Sequence, residues 1–126
     1  MTTGPDPVGT LDVALAHAEK LLVSQPGLAA EQAREILGAL PNHPAATLLL
    51  AMARRRSNDV AEALRILEPL AASQPRWAVA QRELGLALGD AGRGEEAVAA
   101  LRTAVRLQPT MADAWRALGD HLYAMG

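Results

Sequence analysis

The chain has 126 residues with 12 basic and 14 acidic side chains, which give a formal net charge of −2. This balance argues against a nucleic-acid-binding surface and against a membrane-seeking surface. The absence of cysteine excludes disulfides and thiol catalysis and agrees with a reducing compartment. Half of the residues are hydrophobic, and alanine and leucine dominate that half, which predicts an all-α fold.

The first nine residues predict a flexible leader. Residues 1–9 contain Pro5, Pro7 and Gly9 but no Lys, no Arg and no apolar run, so they lack the parts of a secretory signal. No later stretch approaches the roughly 20 apolar residues that are needed to span a bilayer. We therefore expect a cytoplasmic protein.

Punctuating residues predict the first three helices. Thr10 is placed to cap the first helix, and Pro26-Gly27 interrupts the chain before a second helix that runs to Leu40. The segment Pro41-Asn42-His43-Pro44 separates the second helix from the third. Pro44 opens that third helix, because proline at the first helical position loses no hydrogen bond.

The fourth helix contains an anomaly. It is predicted to follow the turn Ser57-Asn58-Asp59, which supplies a capping residue, and to run towards Ala72. Pro69 falls inside it, and an interior proline costs about 3 kcal/mol. We therefore expect either a kink or an early end near Glu68.

Three more helices complete the chain. The segment Gly89 to Gly94 divides the fifth helix from the sixth. Glu95 and Glu96 fall in the first turn of the sixth helix, where the helix dipole favours negative charge. A seventh helix starts near residue 112, after Pro109. The sequence thus predicts seven helices.

The helices repeat with a period of 34 residues, which is the spacing of Pro41, Pro75 and Pro109. A leucine follows each proline by nine positions, and a small residue, which allows two helices to approach closely, comes next. These pairs are Leu50-Ala51, Leu84-Gly85 and Leu118-Gly119. The period defines one domain, residues 10–126, with repeats at 10–43, 44–77 and 78–111 and a half repeat at 112–126.

The third repeat resembles the tetratricopeptide repeat (TPR), and it does so at Leu84-Gly85, Leu88, Gly92, Ala97, Leu101, Ala104 and Pro109. The run Trp115 to Gly119 with Leu122 is similar to the first-helix signature of that family. The resemblance implies a right-handed α-solenoid of helix pairs whose first helices line a concave binding groove. The first repeat departs from the pattern, with His17 for glycine and Ala33 for a large apolar residue, which suits a capping repeat.

The family pattern places the groove on specific positions of this chain. The candidate groove residues are Leu48, Met52, Arg55, Arg56, Val79, Arg82, Leu86, Asp90, Asp113, Arg116, Asp120 and Tyr123. Their mixture of apolar and charged side chains suits an extended peptide or a helix, with arginines that pair ligand carboxylates. The alternative is a solvated face on which aspartates balance the arginines.

Chaperone-binding members of the family clamp a terminal carboxylate with lysine and asparagine. The matching places in this sequence hold Ala14, Ala18, Leu48 and Met52, which argues against a chaperone co-factor role.

Most other repeat positions are interpreted as core. The predicted inter-helix contacts are Leu67, Leu84, Leu101 and Leu118. Trp115 matches a packing position of the family, whereas Trp77 is placed where a tryptophan is exposed and able to contact a partner.

Nothing in the sequence predicts catalysis. The three histidines, His17, His43 and His121, fall in different repeats without metal-ligand spacing, and no glycine-rich loop follows a strand. We expect no cofactor, no metal site and no enzyme activity of this chain alone.

The half repeat at 112–126 lacks a second helix of its own. Leu118, Leu122 and Met125 would be covered by such a helix, so either the chain is a fragment of a longer protein or another surface covers them. A homodimer through this half repeat is one such arrangement.

A narrower resemblance concerns residues 26–37 and 41–44, which look like the start of bacterial proteins that join N-terminal TPRs to a sulfotransferase. Two function classes therefore stay open. One is a protein-binding scaffold, and the other is a non-catalytic recruiting region of a larger enzyme.

Overall fold

The computed structural model describes the backbone of residues 7–126 and the side chains from Thr10 onward. In that range the chain forms seven α-helices and no strand, which confirms the all-α prediction and the number of helices. They are α1 (Pro7–Ser24), α2 (Pro26–Ala39), α3 (Pro44–Arg56), α4 (Val60–Ser73), α5 (Ala78–Asp90), α6 (Gly94–Leu107) and α7 (Ala112–Met125).

The helices fall into two compact units that divide between Asp59 and Val60. In the first unit α1 packs on α2 and α2 on α3, while α1 also contacts α3. In the second unit α4 packs on α5, α5 on α6 and α6 on α7, and α5 also contacts α7. The division falls inside the predicted repeat 44–77, between its two helices, and the single domain over 10–126 stays a prediction.

The predicted period recurs in the turns that precede α3, α5 and α7. Their N-cap residues His43, Trp77 and Met111 are spaced as the three prolines are. The carbonyl of each N-cap accepts a hydrogen bond from the amide four residues later, at 2.9, 3.1 and 3.1 Å respectively. Pro44 occupies the first turn of α3, as predicted.

The turns that follow α3 and α5 also have the same backbone geometry. Each contains one residue with positive φ, Asn58 at 65° and Gly92 at 80°. The amide of Asp59 donates to the carbonyl of Arg54 at 2.8 Å, and the amide of Arg93 donates to that of Leu88 at 2.9 Å. A left-handed residue is what lets the chain reverse after a helix end in so few residues.

The N-terminal boundary of the first helix differs from its prediction. Helix α1 begins at Pro7 rather than after a cap at Thr10, because proline with its fixed φ suits the first helical position. Of the predicted leader 1–9, residues 7–9 therefore belong to α1, and residues 1–6 lie outside the described part of the chain.

The predicted early end of α4 near Glu68 is wrong. The helix continues through Pro69 to Ser73. Leu67 and Leu70 are buried on either side of the proline, and their burial, at about 1.5–3 kcal/mol for each side chain, offsets the missing hydrogen bond. A kink at Pro69 stays a prediction.

Each unit has its own apolar cluster. The cluster of the first unit consists of Ala18, Leu22, Ala29, Ala30, Ala33, Leu49 and Ala53. The cluster of the second unit consists of Ala78, Val98, Leu101, Ala104, Val105, Met111, Ala114 and Leu118. Of the four predicted core leucines, Leu67, Leu101 and Leu118 are buried, while Leu84 is only half-buried.

Gly85 shows why its position needs a small residue. A Cβ at Gly85 would lie 2.6 Å from Cγ of Leu101, so the leucine of α6 occupies the space directly above this glycine of α5. At Gly119, one repeat later, a Cβ would meet nothing within 4 Å. The predicted close approach is therefore confirmed at Gly85 and is not realised at Gly119.

Candidate protein-binding site

Helices α5 and α7 bring eight of the twelve candidate groove residues together in the second unit. We call this set the α5–α7 face, which consists of Val79, Arg82, Leu86, Asp90, Asp113, Arg116, Asp120 and Tyr123. The two helices approach so closely at Gly89 that an added Cβ there would overlap the imidazole of His121. Glycine at position 89 thus admits a side chain of α7 against the backbone of α5.

Arg82 links the two helices through its guanidinium group. Its Nη2 and Nε donate to Oε2 of Glu83 at 3.0 and 3.2 Å, and its Nη1 lies 3.6 Å from Oδ2 of Asp113 on α7. The side chain of Arg82 is 19% exposed and that of Asp113 is 55% exposed. The alternative predicted from sequence, in which aspartates balance the arginines, therefore describes Arg82 as it stands in this chain.

The two contacts of Arg82 differ in strength. Glu83 is only 2% exposed, and breaking a buried ion pair by removing one partner is strongly destabilising. The longer contact with the exposed Asp113 belongs to the class of surface ion pairs worth about 0–1 kcal/mol. Arg82 is thus fixed by Glu83 and only loosely held by Asp113.

Glu83 was missed by the sequence interpretation, although the pattern contained a signal for it. Ala80 and Ala87 are fully buried, and position 83 lies on the same side of α5 at helical spacing. A charged residue on a buried stripe indicates a paired carboxylate. The neighbouring Arg82 supplies the partner.

The rest of the α5–α7 face is more accessible. Val79 and Leu86 are half-buried, and the remaining charged residues are exposed. Tyr123 is 90% exposed, which is unusual for an aromatic side chain with so much apolar surface. The face therefore combines an exposed aromatic ring, charges of both signs and two partly covered apolar side chains.

The other four candidate residues lie on α3 in the first unit. Leu48 is 6% exposed, so the interpretation of Leu48 as an apolar contact for a ligand is wrong for the chain as it stands. Met52 packs against the cluster of the first unit. Arg55 and Arg56 lie in the last turn of α3, where the helix dipole favours cations whether or not a ligand is present.

The positions of the chaperone-type clamp provide no charged group. Ala14, Ala18, Leu48 and Met52 are all apolar, and Ala18 is fully buried. These side chains cannot pair with a terminal carboxylate.

Two of the three histidines have structural contacts. His43 accepts a hydrogen bond at Nδ1 from the amide of Ala46 at 3.3 Å and so caps α3, His121 packs over Gly89, and His17 is exposed. Among the described residues no group of three His, Cys, Asp or Glu side chains is placed to hold a metal ion. In the same range no helix combines the length and the apolar character that a membrane crossing requires.

The two tryptophans differ from their predicted places. Trp115 was assigned to a packing position, yet it is 49% exposed, and its indole Nε1 donates to the carbonyl of Pro109 at 2.8 Å. Gln81, one repeat earlier, donates to the carbonyl of Pro75 at 3.3 Å. Position 115 is therefore a turn-bracing position, while Trp77 is half-buried at the start of α5.

The chain is similar in sequence and in fold to known tetratricopeptide repeats. The family model described as tetratricopeptide repeat matches residues 82–126. The fold is similar to that of the Sgt2 TPR domain from Aspergillus fumigatus, with a TM-score of 0.83 and 18% identity over 97% of this chain and 82% of that one. The resemblance to tetratricopeptide repeats is confirmed. No curated protein matches the chain in sequence.

Two further solved structures are similar to the chain. The first TPR of Spaghetti (RPAP3), in a structure with the HSP90 peptide SRMEEVD, has a TM-score of 0.80 and 20% identity over 90% of each chain. A mutant of Thermobaculum terrenum O-GlcNAc transferase has a TM-score of 0.84 and 26% identity over 97% of this chain. The chain spans only 23% of that enzyme's length. The described helices thus form an all-α solenoid fold of the TPR type, and TPR domains are generally interaction modules rather than catalysts.

Proposed function

We propose that this chain is a protein-protein interaction scaffold that binds a peptide or protein segment on the α5–α7 face. The observation that carries the proposal is the arrangement around Arg82, whose guanidinium is held by Glu83 and reaches Asp113 on α7, with the half-buried Val79 and Leu86 about one helical turn before and after it on α5. A TPR domain of the same fold in complex with a peptide adds support. Met52, Arg55 and Arg56 on α3 belong to the first unit and stay candidates from the sequence.

The contacts of Arg82 suggest how a ligand is recognised. A ligand carboxylate would take the place of Asp113 at Nη1, while Glu83 continues to hold the rest of the guanidinium. The exchange costs little because an exposed ion pair at 3.6 Å is weak, whereas a closer charge-assisted hydrogen bond is stronger. The expected ligand is a segment with an acidic residue next to apolar residues, which contact Val79 and Leu86.

The test uses an array of immobilised peptides that combine Asp or Glu with Leu or Val, together with neutral versions of each peptide. We expect the chain to retain the acidic peptides and not the neutral ones. Asp113→Ala should raise capture several-fold because it removes the competing carboxylate. Arg102→Glu, an exposed change on α6, is the matched control and should leave capture unchanged.

Two variants are expected to weaken peptide capture. Arg82→Glu should abolish capture, but it also removes a charged partner of the buried Glu83 and places a second carboxylate beside it. We therefore expect this variant to lose stability as well. Tyr123→Ala avoids this problem, because the side chain is 90% exposed. Capture that is unchanged in both variants would remove the α5–α7 face as the binding site.

A second candidate function is the non-catalytic recruiting region of a larger enzyme, such as a sulfotransferase. The observation that favours it is the similarity to a segment of the much longer O-GlcNAc transferase chain. Sequencing the reading frame beyond Gly126 tests this candidate. A catalytic domain encoded there would support it, and a stop codon would contradict it.

We also propose, as the sequence predicts, that the half repeat at 112–126 mediates homodimerisation. The cytoplasmic location, the bacterial origin and the absence of enzyme activity stay predictions from the sequence.

A further inference from the structure

An open groove runs along α5 between α4 and α6, and helical spacing places it on the opposite side of α5 from Val79, Arg82 and Leu86. We call it the α4–α6 groove, which is lined by Glu68 and Ala72 on α4, Gln81 and Leu84 on α5, and Glu96 and Thr103 on α6. It consists of two adjoining cavities of about 340 and 400 Å³, volumes that are usual for ligand sites. All three helices belong to the second unit, so the groove lies within that unit.

Leu84 supplies the apolar part of the groove. This leucine is half-buried, whereas its equivalent one repeat later, Leu118, is 5% exposed. The residue three positions earlier also differs, since Gln81 precedes Leu84 and Trp115 precedes Leu118. Both of these side chains donate to the carbonyl of the proline six residues before them, at 3.3 and 2.8 Å, so they take the same course. An indole covers more surface than an amide does. Glutamine at position 81 therefore leaves Leu84 partly open.

The groove also carries a net negative charge. Arg93 bridges the two carboxylates that line it, with Nη2 at 3.1 Å from Oε2 of Glu68 and at 2.7 Å from Oε2 of Glu96. All three side chains are more than one third exposed, so these ion pairs are of the weak, exposed kind. None of the described residues that line the groove is basic. Two carboxylates thus share one guanidinium.

We propose that the α4–α6 groove binds a peptide segment in which a tryptophan covers Leu84 and flanking lysines or arginines pair with Glu68 and Glu96. The ring would cover Leu84 as an indole at position 81 would, by the pattern of Trp115 and Leu118. The basic residues would balance the charge that Arg93 leaves over. The occupant is therefore a basic and aromatic segment, opposite in charge to the acidic segment proposed for the α5–α7 face.

NMR titration of the isotope-labelled full chain with short capped peptides tests the proposal. The probe peptide carries the sequence Lys-Trp-Lys between Gly-Ser linkers, and two companion peptides carry Lys-Ala-Lys and Glu-Trp-Glu. The probe should shift the amide signals of Leu84 and Thr103 and leave those of Asp113 and Tyr123 unchanged. The companions should bind about tenfold more weakly or worse, because one lacks the ring and the other repels the two glutamates.

Gln81→Trp should close the groove with a side chain of the chain itself. Binding of the Lys-Trp-Lys peptide should fall about tenfold or more, while the melting temperature rises because Leu84 becomes covered as Leu118 is. The rise in melting temperature separates a filled groove from a damaged fold.

Glu68→Gln provides an independent arm and should weaken binding of the same peptide several-fold. Glu95→Gln is the matched control, because it removes the same charge from an exposed residue of α6 outside the groove and should leave binding unchanged. This pair of variants decides the question by itself if Gln81→Trp does not fold.

Three results would overturn the proposal. They are signals at Leu84 and Thr103 that do not shift, equal weakening by Glu68→Gln and Glu95→Gln, and a folded Gln81→Trp variant that binds as tightly as the parent. The peptides used for this groove are basic and those used for the α5–α7 face are acidic. Either site can therefore fail while the other holds.

Discussion

The helix pairs α1–α2 and α5–α6 occupy equivalent repeats but use different residues at the positions where a repeat packs its two helices. In the later pair, Gly85 lies beneath the fully buried Leu101. Two repeats earlier, the same positions hold the exposed His17 and the fully buried Ala33. The small residue of the pair thus lies on the first helix in α5–α6 and on the second helix in α1–α2. Close approach thus needs one small partner, and the repeat period does not decide which helix supplies it.

The links inside the two pairs differ as well. Helix α5 joins α6 through three residues, 91–93, with Gly92 at a φ of 80°. Helix α1 joins α2 through Gln25 alone, at a φ of −141°, and the position equivalent to Gly92 is Ser24, which ends α1. The first pair therefore reverses its direction without a left-handed residue. The shorter link explains why position 24 holds serine rather than glycine.

Leu101→Ala gives the later pair the residue that the first pair has at this position, and we expect the largest effect from it. Removing a fully buried leucine side chain over Gly85 should lower the free energy of unfolding by about 2–5 kcal/mol. Urea denaturation measures the loss. Val23→Ala, an exposed change on α1, should stay within about 0.5 kcal/mol of the parent. Equal losses in both variants would contradict the difference between core and surface described above.

Gly85→Ala tests the close approach itself. The new Cβ would lie 2.6 Å from Cγ of Leu101, which is fully buried, so the neighbouring side chain or backbone must shift and we expect a loss of about 1–3 kcal/mol. Gly38→Ala on α2 meets nothing within 4 Å and should instead gain up to about 1 kcal/mol. A lower melting temperature for Gly85→Ala and a higher one for Gly38→Ala would support the close approach at Gly85. An unchanged melting temperature for Gly85→Ala would refute it.

Gly92→Ala tests the left-handed link of the later pair. A φ of 80° strains any residue with a Cβ, so we expect a loss of about 1–2 kcal/mol. Gly94→Ala, at the first residue of α6, has open space and no positive φ and should be close to neutral. Circular dichroism on heating distinguishes the two variants. A stable Gly92→Ala protein would mean that the link can adopt the form seen between α1 and α2.

The smallest expected effect concerns Glu96. A hydrogen bond from Arg93, at 2.7 Å, lowers the pKa of this carboxyl below its usual value. A lowered folded-state pKa contributes stability above the unfolded-state pKa, and the contribution is lost as the pH falls through the folded-state pKa. NMR titration should show the lowered pKa. Arg93→Gln should return it towards the ordinary value, and a titration that this change leaves unaltered would contradict the assignment.

The sequence predicted the helices well because period and punctuation are local properties. The starts of α3, α5 and α7 are set by turns that recur with the prolines. The start of α1 and the continuity of α4 were mispredicted for physical reasons. Helix α1 begins at Pro7 because proline is as acceptable as Thr10 at a helix start. Helix α4 continues because the burial of side chains around Pro69 outweighs the low helix propensity of proline.

The candidate site was harder to predict from the sequence. The family pattern placed Arg82 and Asp113 among the groove residues of successive first helices, but only the structure shows that they already contact each other. Leu48 matched a groove position and is buried, because exposure depends on neighbours that are distant in sequence. Trp115 matched a packing position and is exposed, because nothing in the described chain covers it.

The aromatic side chains give the two units different optical properties. Trp77, Trp115 and Tyr123 all belong to the second unit, and the chain has no phenylalanine. Intrinsic fluorescence therefore reports on the second unit alone, while circular dichroism reports on the helices of both. If the two signals change at the same denaturant concentration, the units unfold together. If they separate, the difference gives the stability of the first unit without any label.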